Sequence, residues 1–407
     1  MKKKSLLLAI ALVLSLSTNV SAANLDRLGG ENRYETAALI NNQIKSETLI
    51  LVSGNDFADA LSATSLVKYY NAEIHLVNKE LDSNTINSVN NEFKKALIIG
   101  GTSAVSSEIE NELKLELGEK NVERLGGKNR YETSELVAEK ILELSNSNTT
   151  SSSLGKAFVV TGKDFADALS VAPISASYGY PIILTPGESI GDLGLKTLNT
   201  IGSYYKIGGE SVVSDKIDKL TDVESSSINR LSGANRYETN KAVIGEFATY
   251  AFNYNTTYVA NGLNFPDALA GSVLAAKNKA PIVFVSNTAT ISAKDVITCF
   301  QSDNIIALGG TSVVSNYTMN SLIDTNSDKE VVFKYNNKVV LPEKGSEPTP
   351  ETIDLVASGK KGNDCSWTYT IHKGVAPEAS DDGIGFISFS VIIDGQYHNG
   401  RVEYTRK

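Results

Sequence analysis

Gly30-Glu-Asn-Arg-Tyr-Glu-Thr36 returns as Gly127-Lys-Asn-Arg-Tyr-Glu-Thr133 and again as Gly233-Ala-Asn-Arg-Tyr-Glu-Thr239, with only the second residue changed. A self-similar period this long marks a repeated structural unit, and it sets the architecture before any local pattern does. Behind each copy comes a second block, NDFADALS from Asn55, KDFADALS from Lys163 and NFPDALAG from Asn264, which aligns Asp59, Asp167 and Asp267. A third block, ALIIGG, YKIGG and IIALGG, ends on glycine pairs that begin at Gly100, Gly208 and Gly309. From aspartate to glycine the separations are 41, 41 and 42 residues, so this half of the unit is nearly free of insertions. From motif arginine to aspartate they are 26, 37 and 31, the longest including the Ser/Asn/Thr run 145–153, which reads as a surface loop.

Within the first unit, Leu49–Val52, Ile74–Val77 and Ala96–Ile99 read as short apolar strands. Phe57–Tyr70, Leu81–Phe93 and Ser107–Leu117 carry helical spacing, with Ser107 and Glu110 in a capping-box pattern. Alternation of strand and helix predicts a parallel sheet covered on both faces, so the fold class is α/β, three times over. The boundaries follow as modules 24–121, 122–227 and 228–325, with 326–407 left over. In that remainder short β-type runs at 331–335, 338–341, 367–371, 384–393 and 401–405, with a turn at Asp394-Gly395, predict a small β-rich domain.

Lys2–Lys4, the apolar run Leu6–Leu16 and the small-residue site Val20-Ser21-Ala22 read as a signal peptide over residues 1–22. No stretch reaches the roughly 20 apolar residues of a membrane span. Without the three lysines the net charge goes from -9 to -12, which argues against a nucleic-acid partner. Cys299 and Cys365, the only cysteines, read as two free or buried thiols rather than a bridge. Cys365, His372 and His398 read as scattered residues and not as a thiol site.

The recurring polar residues decide between chemistry and architecture. No unit has GxGxxG followed by an acidic residue, or a Walker lysine, so neither nucleotide nor any other cofactor is implied. No histidine recurs among the units, which argues against catalysis. Arg33, Arg130 and Arg236 read either as internal clamps to an acidic residue of the second block or as ligand contacts. Asn32, Tyr34 and Asp59, with Asn129, Tyr131 and Asp167, and Asn235, Tyr237 and Asp267, read as structural motif residues that hold each unit together.

RLGGENRYETA (27–37), SGNDFADALS (53–62) and IIGGTSAVS (98–106) resemble the hallmark blocks of the type 2 cell-wall-binding repeat of clostridial and other Gram-positive surface proteins. The resemblance implies three Rossmann-like or flavodoxin-like modules in a pseudo-threefold arrangement, holding an anionic secondary cell-wall polysaccharide noncovalently. Other surface-layer proteins are a further class of partner it implies. In that family a Pro-Ile-Leu-Leu-like segment is tied to polymer binding, which points to Pro181, Ile182, Ile183 and Leu184 and to Pro281, Ile282, Val283 and Phe284. The first unit departs from this pattern with Glu73-Ile74-His75-Leu76 at the same offset. Read without the family, these segments are buried strands of a parallel sheet. Leu341-Pro342-Glu343-Lys344-Gly345 departs from a sortase signal at Lys344. The expected function is a noncatalytic, secreted, wall-held surface protein; the alternative is a wall-modifying enzyme with a cryptic C-terminal catalytic domain.

Overall fold

The computed structural model describes residues 23–323, except 58, 79, 82–84, 87–88, 90–91, 148–153 and 254, and five strands beyond them. Twelve strands form three parallel four-stranded sheets. In chain order they are β1 (Asn24–Leu28), β2 (Thr48–Ser53), β3 (Glu73–Val77), β4 (Lys95–Ile99), β5 (Val122–Leu125) and β6 (Ala157–Thr161). They continue as β7 (Ile182–Thr185), β8 (Tyr204–Ile207), β9 (Ile228–Leu231), β10 (Thr256–Asn261), β11 (Ile282–Val285) and β12 (Asn304–Leu308).

The sequence repeat and the sheet do not coincide. The sheet orders are β3-β2-β4-β5, β7-β6-β8-β9 and β11-β10-β12-β1. The strand just before each motif therefore pairs with the Gly-Gly strand of the preceding unit, and the repeat boundaries at 121/122 and 227/228 fall between strands of one sheet. The strand before the first motif, β1, pairs with the Gly-Gly strand of the last unit, from Asn24 against Asn304 to Leu28 against Leu308. The first strand thus closes a ring with the third sheet.

Each motif opens a helix, Arg33–Asn41, Arg130–Ser147 or Arg236–Ala251, that packs between two neighbouring units. The helices that start in the second block, Ala166–Tyr178 and Pro266–Lys277, are rich in Ala and Ser and buried along almost their whole circumference. A helix without a solvated face needs neighbours on every side. Small side chains let it approach them closely, as where Ser65 and Ser175 Oγ meet at 2.9 Å across two units. The corresponding stretch of the first unit, expected as one helix over 57–70, breaks into Ala60–Ala63, a 3-10 turn at Thr64–Leu66 and Val67–Tyr70.

Strand residues alternate between two cores. Ile50, Val52, Leu97 and Ile99 join an apolar cluster that runs through all three modules, whereas Leu49, Leu51, Ala96 and Ile98 pack under the outer helices of the first module. The helix Ser107–Leu117 is as expected, but its cap is Ser106, which accepts from the Ile109 N–H, and Glu110 instead pairs with Arg124 at 2.6 Å. The expected helix over 81–93 falls largely outside the described residues.

In the C-terminal part, β13 (Val331–Tyr335), β14 (Asp354–Gly359) and β15 (Tyr369–Thr370) form one antiparallel sheet, and β16 (Ile384–Ile393) pairs with β17 (Gln396–Thr405). Strand β14 was not foreseen. The expected run 338–341, the Asp394-Gly395 turn, Cys365, His372 and the signal segment 1–22 lie outside the described residues. Cys299 is disulfide-bonded, which corrects the expectation of free thiols.

Candidate functional site

Each residue of the recurring motif has an identifiable use. Asn32 caps its helix by accepting from the N–H groups of Tyr34 and Glu35 at 2.9 and 3.0 Å, and Asn129 and Asn235 repeat this. Glu35, Glu132 and Glu238 reach back to the N–H of residues 31, 128 and 234, each at 2.9 Å. The Thr36, Thr133 and Thr239 hydroxyls accept from Gly30, Gly127 and Gly233. The rings of Tyr34, Tyr131 and Tyr237 lie against Gly54, Gly162 and Gly262, so closely that a Cβ on any of these glycines would meet the ring edge at 2.6 to 2.9 Å.

The arginines tie units together. Arg33, Arg130 and Arg236 each donate to the carbonyl of Gly54, Gly162 or Gly262 in their own unit. Each guanidinium also sits over a phenylalanine of the preceding unit: Arg33 on Phe265 at 5.8 Å, Arg130 on Phe57 at 5.2 Å and Arg236 on Phe165 at 5.5 Å. The three phenylalanines meet one another at 5.6, 6.0 and 6.1 Å and so mark the pseudo-threefold axis. Arg236 Nη2 also binds Asp164 of the preceding unit at 2.9 Å. The acidic partner is thus Asp164 and not the aligned Asp167.

Asp59, Asp167 and Asp267 lie instead against the first glycine of each Gly-Gly pair. A Cβ on Gly100, Gly208 or Gly309 would approach their carboxylate oxygens to 2.9, 2.5 and 2.4 Å, and all three glycines hold positive φ, between 101° and 116°. Burial, reinforced by Asp164, pushes the Asp167 carboxyl up to about 6 against the pull of Arg236. Burial also carries Asp267 to about 6, opposed by Arg33. Asp59 is raised by burial too, though Thr133, Arg130 and Gly101 favour its charged form.

Replacing Arg236 by Ala should lower unfolding stability by about 1–2 kcal/mol, with the exposed Asp164 pair discounted for solvent screening. Urea unfolding measures it; a loss below about 0.3 kcal/mol would show that the seam does not depend on this arginine.

A second arginine series escaped the sequence reading. Arg27, Arg124 and Arg230 donate to the carbonyls of Gly309, Gly100 and Gly208 at 2.7, 2.9 and 2.6 Å, fastening each motif strand to the Gly-Gly turn beside it. Their recurrence six residues before each motif arginine was the available signal, as was the phenylalanine two residues before each aligned aspartate.

Ile182, Ile183, Leu184, Ile282, Val283 and Phe284 are at most 2% exposed, and Pro181 and Pro281 are buried beside them. They form edge strands β7 and β11, whose open sides are covered by side chains. Ser134 accepts from the Leu184 N–H at 2.9 Å, Ser65 from Ile182 at 3.1 Å, and Asn240 bonds both Ile282 and Phe284 at 3.0 Å. In the first unit Glu73 is buried and bound to His75 at 3.0 Å.

Two cavities open where β7 ends. One, of about 260 Å³, lies between Tyr131, Glu132, Glu135, Leu184 and Pro186. Glu135 there accepts from the Gly191 N–H at 2.7 Å, and burial raises its pKa despite that bond. The other, of about 570 Å³, has Lys163, Pro186, Glu188, Glu210, Ser214 and Lys216 in its wall. It lies at the carboxyl edge between β6 and β8, where the strand order reverses and open α/β sheets bind ligands. Among the described residues no cluster suited to a metal ion occurs, and no helix is long and apolar enough to cross a membrane.

Known proteins match about three quarters of the chain. N-acetylmuramoyl-L-alanine amidase LytC of Bacillus subtilis (strain 168) is 32% identical over 321 residues, covering 77% of this chain and 61% of the relative. The Amidase enhancer of the same organism is 34% identical over 313 residues, covering 75% and 41%. The chain thus spans less than two thirds of the length of either relative. The solved structure of Cwp6 from Clostridium difficile matches with a TM-score of 0.64 at 28% identity, over 73% of this chain and 48% of that one. Residues 27–110, 124–218 and 230–319, well over half of the sequence, match one family model in three consecutive copies, so the chain belongs to the Cell wall binding domain 2 (CWB2) family.

Proposed function

We propose that this chain is a noncatalytic surface protein that the three-module ring holds on a Gram-positive cell wall by binding an anionic secondary wall polysaccharide. The C-terminal part is carried outward by that ring. The observation that bears most weight is the closed ring of three cell wall binding modules, in which the recurring polar residues cap helices and join seams. One relative is named as an amidase and the other as an amidase enhancer, and both share with this chain a span about the size of the ring. That supports binding, and not hydrolysis, as the work of the shared part.

The candidate segments Pro181–Leu184 and Pro281–Phe284 then act indirectly, by setting the loops at their carboxyl ends, since their side chains are spent on the core. A sequence pI near 5.1 makes general attraction to a polyanion impossible at neutral pH, so local cations must supply it. The protein should co-sediment with purified Gram-positive walls, release no sugars or peptides from them, and detach as salt approaches 1 M, where the Debye length is about 3 Å. Release of wall fragments above a heat-inactivated control would favour the enzyme reading; absence from the wall pellet at low salt would overturn the binding reading.

A further inference from the structure

The three modules differ in the residues that flank the crevice at the carboxyl edge of each sheet. Two positions flank it: the residue after Gly54, Gly162 or Gly262, and the residue eight beyond Gly100, Gly208 or Gly309. The first module has Asn55 and Glu108 there, the second Lys163 and Lys216, and the third Leu263 and Tyr317, which are 55% and 73% exposed. Only the second module brings two cations to this place, and they line the 570 Å³ cleft.

We propose that this cleft of the second module is the subsite for a phosphate-bearing sugar repeat of the wall polymer, an assignment that rests on the wall-binding reading. Its volume lies within the range of about 300–1,000 Å³ typical of small-ligand sites. Its floor is fixed by the Ser214 N–H donating to the Gly187 carbonyl at 2.8 Å, which joins the loops after β7 and β8. The wall carries two ammonium and two carboxylate groups, with the hydroxyls of Ser211 and Ser214. Such a balanced lining suits a polyhydroxylated ligand with one anionic group per repeat better than a dense polyanion. The lysines supply donors to a phosphate, while Glu188 and Glu210 accept from sugar hydroxyls. Lys216 is held by Glu188 at 2.8 Å in a pair whose side chains are both 65% exposed, weak enough to exchange for a ligand. Leu263 and Tyr317 bring no cation, so the third module lacks the charge of this contact with phosphate.

The test uses the whole protein and Gram-positive walls before and after cold hydrofluoric acid, which cleaves phosphodiester-linked polymer. The wild type should bind intact walls and lose the stripped ones. The double variant K163A/K216A should bind intact walls at least about 10-fold more weakly, with an unchanged circular dichroism spectrum and melting temperature. K163R/K216R should recover most of the affinity, and N55A/E108A should bind as wild type. If K163A/K216A binds intact walls like the wild type, the subsite is wrong and wall binding stands. Equal binding to intact and stripped walls overturns a phosphate-bearing ligand and the subsite with it. If the wild type binds neither, the wall-binding reading itself falls.

Discussion

A chain lacking residues 23–28 should melt about 10 °C or more below the intact one. Strand β1 satisfies the open edge of β12 along five paired residues, and Arg27 adds bonds to Gly309 and Asn316 at 2.7 and 3.1 Å. Leu25 and Leu28 pack against the common core. Backbone bonds contributing about 1 kcal/mol each, with two partly buried leucines, amount to a loss on the order of 5 kcal/mol. At about 2–4 °C per kcal/mol for a body of this size, the shift is large. Differential scanning calorimetry would show it, and a truncated protein melting within about 2 °C of the parent would mean that the ring does not depend on its first strand.

The second large effect is a reversed pH dependence. Burial raises the Asp167 and Asp267 carboxyls to about 6 in the folded chain, against an ordinary value of 3.8. Between those values the folded chain binds more protons than the unfolded one. Their contribution is therefore complete below about pH 4 and is lost as pH rises through 6. Each group accounts for on the order of 2–3 kcal/mol. Asp215, held down to about 2 by Lys206 and Arg230, works in the opposite sense and costs stability only as the pH falls from about 4 towards 2. Thermal melts should thus show higher stability near pH 4.5 than at pH 7.5, and D167N/D267N should flatten the slope. A parent protein whose melting temperature rises steadily from pH 4.5 to 7.5 would refute the assignment.

The parts of the fold that depend on neighbours in sequence were legible. Leu49–Val52, Ile74–Val77 and Ala96–Ile99 are apolar runs bounded by breakers, and they lie within β2, β3 and β4. The caps at Asn32 and Glu35 also had a local signal in their three-residue spacing, but the sequence reading took Asn32 only as a structural motif residue. The partner of the four- or five-residue strand before each motif could not, because nothing local tells Arg27-Leu28 to seek residues 307 and 308. For the same reason the acidic partner of Arg236 was expected within its own unit and is Asp164 of the preceding one, since the sequence shows an acidic block but not which unit's block lies across the seam. Periodicity marked Pro181–Leu184 as a strand but cannot tell an edge covered by Ser134 and Ser65 from one open to a ligand. The cleft residues Lys163 and Lys216 lie 53 positions apart and change identity from unit to unit, so a search for what recurs passes over them.

Phe57, Phe165 and Phe265 touch one another in a triangle, and this makes the number of units an integer fixed by geometry. In an open solenoid another repeat can be stacked on either end, and each addition changes stability and reach by a similar step. Here a fourth unit inserted into the chain would find the centre filled and β12 already paired, and a chain of two would leave one phenylalanine vertex and two sheet edges unmet. Growth of such a protein by duplication must therefore proceed by whole rings or by extension beyond the ring, as the strands after residue 330 illustrate.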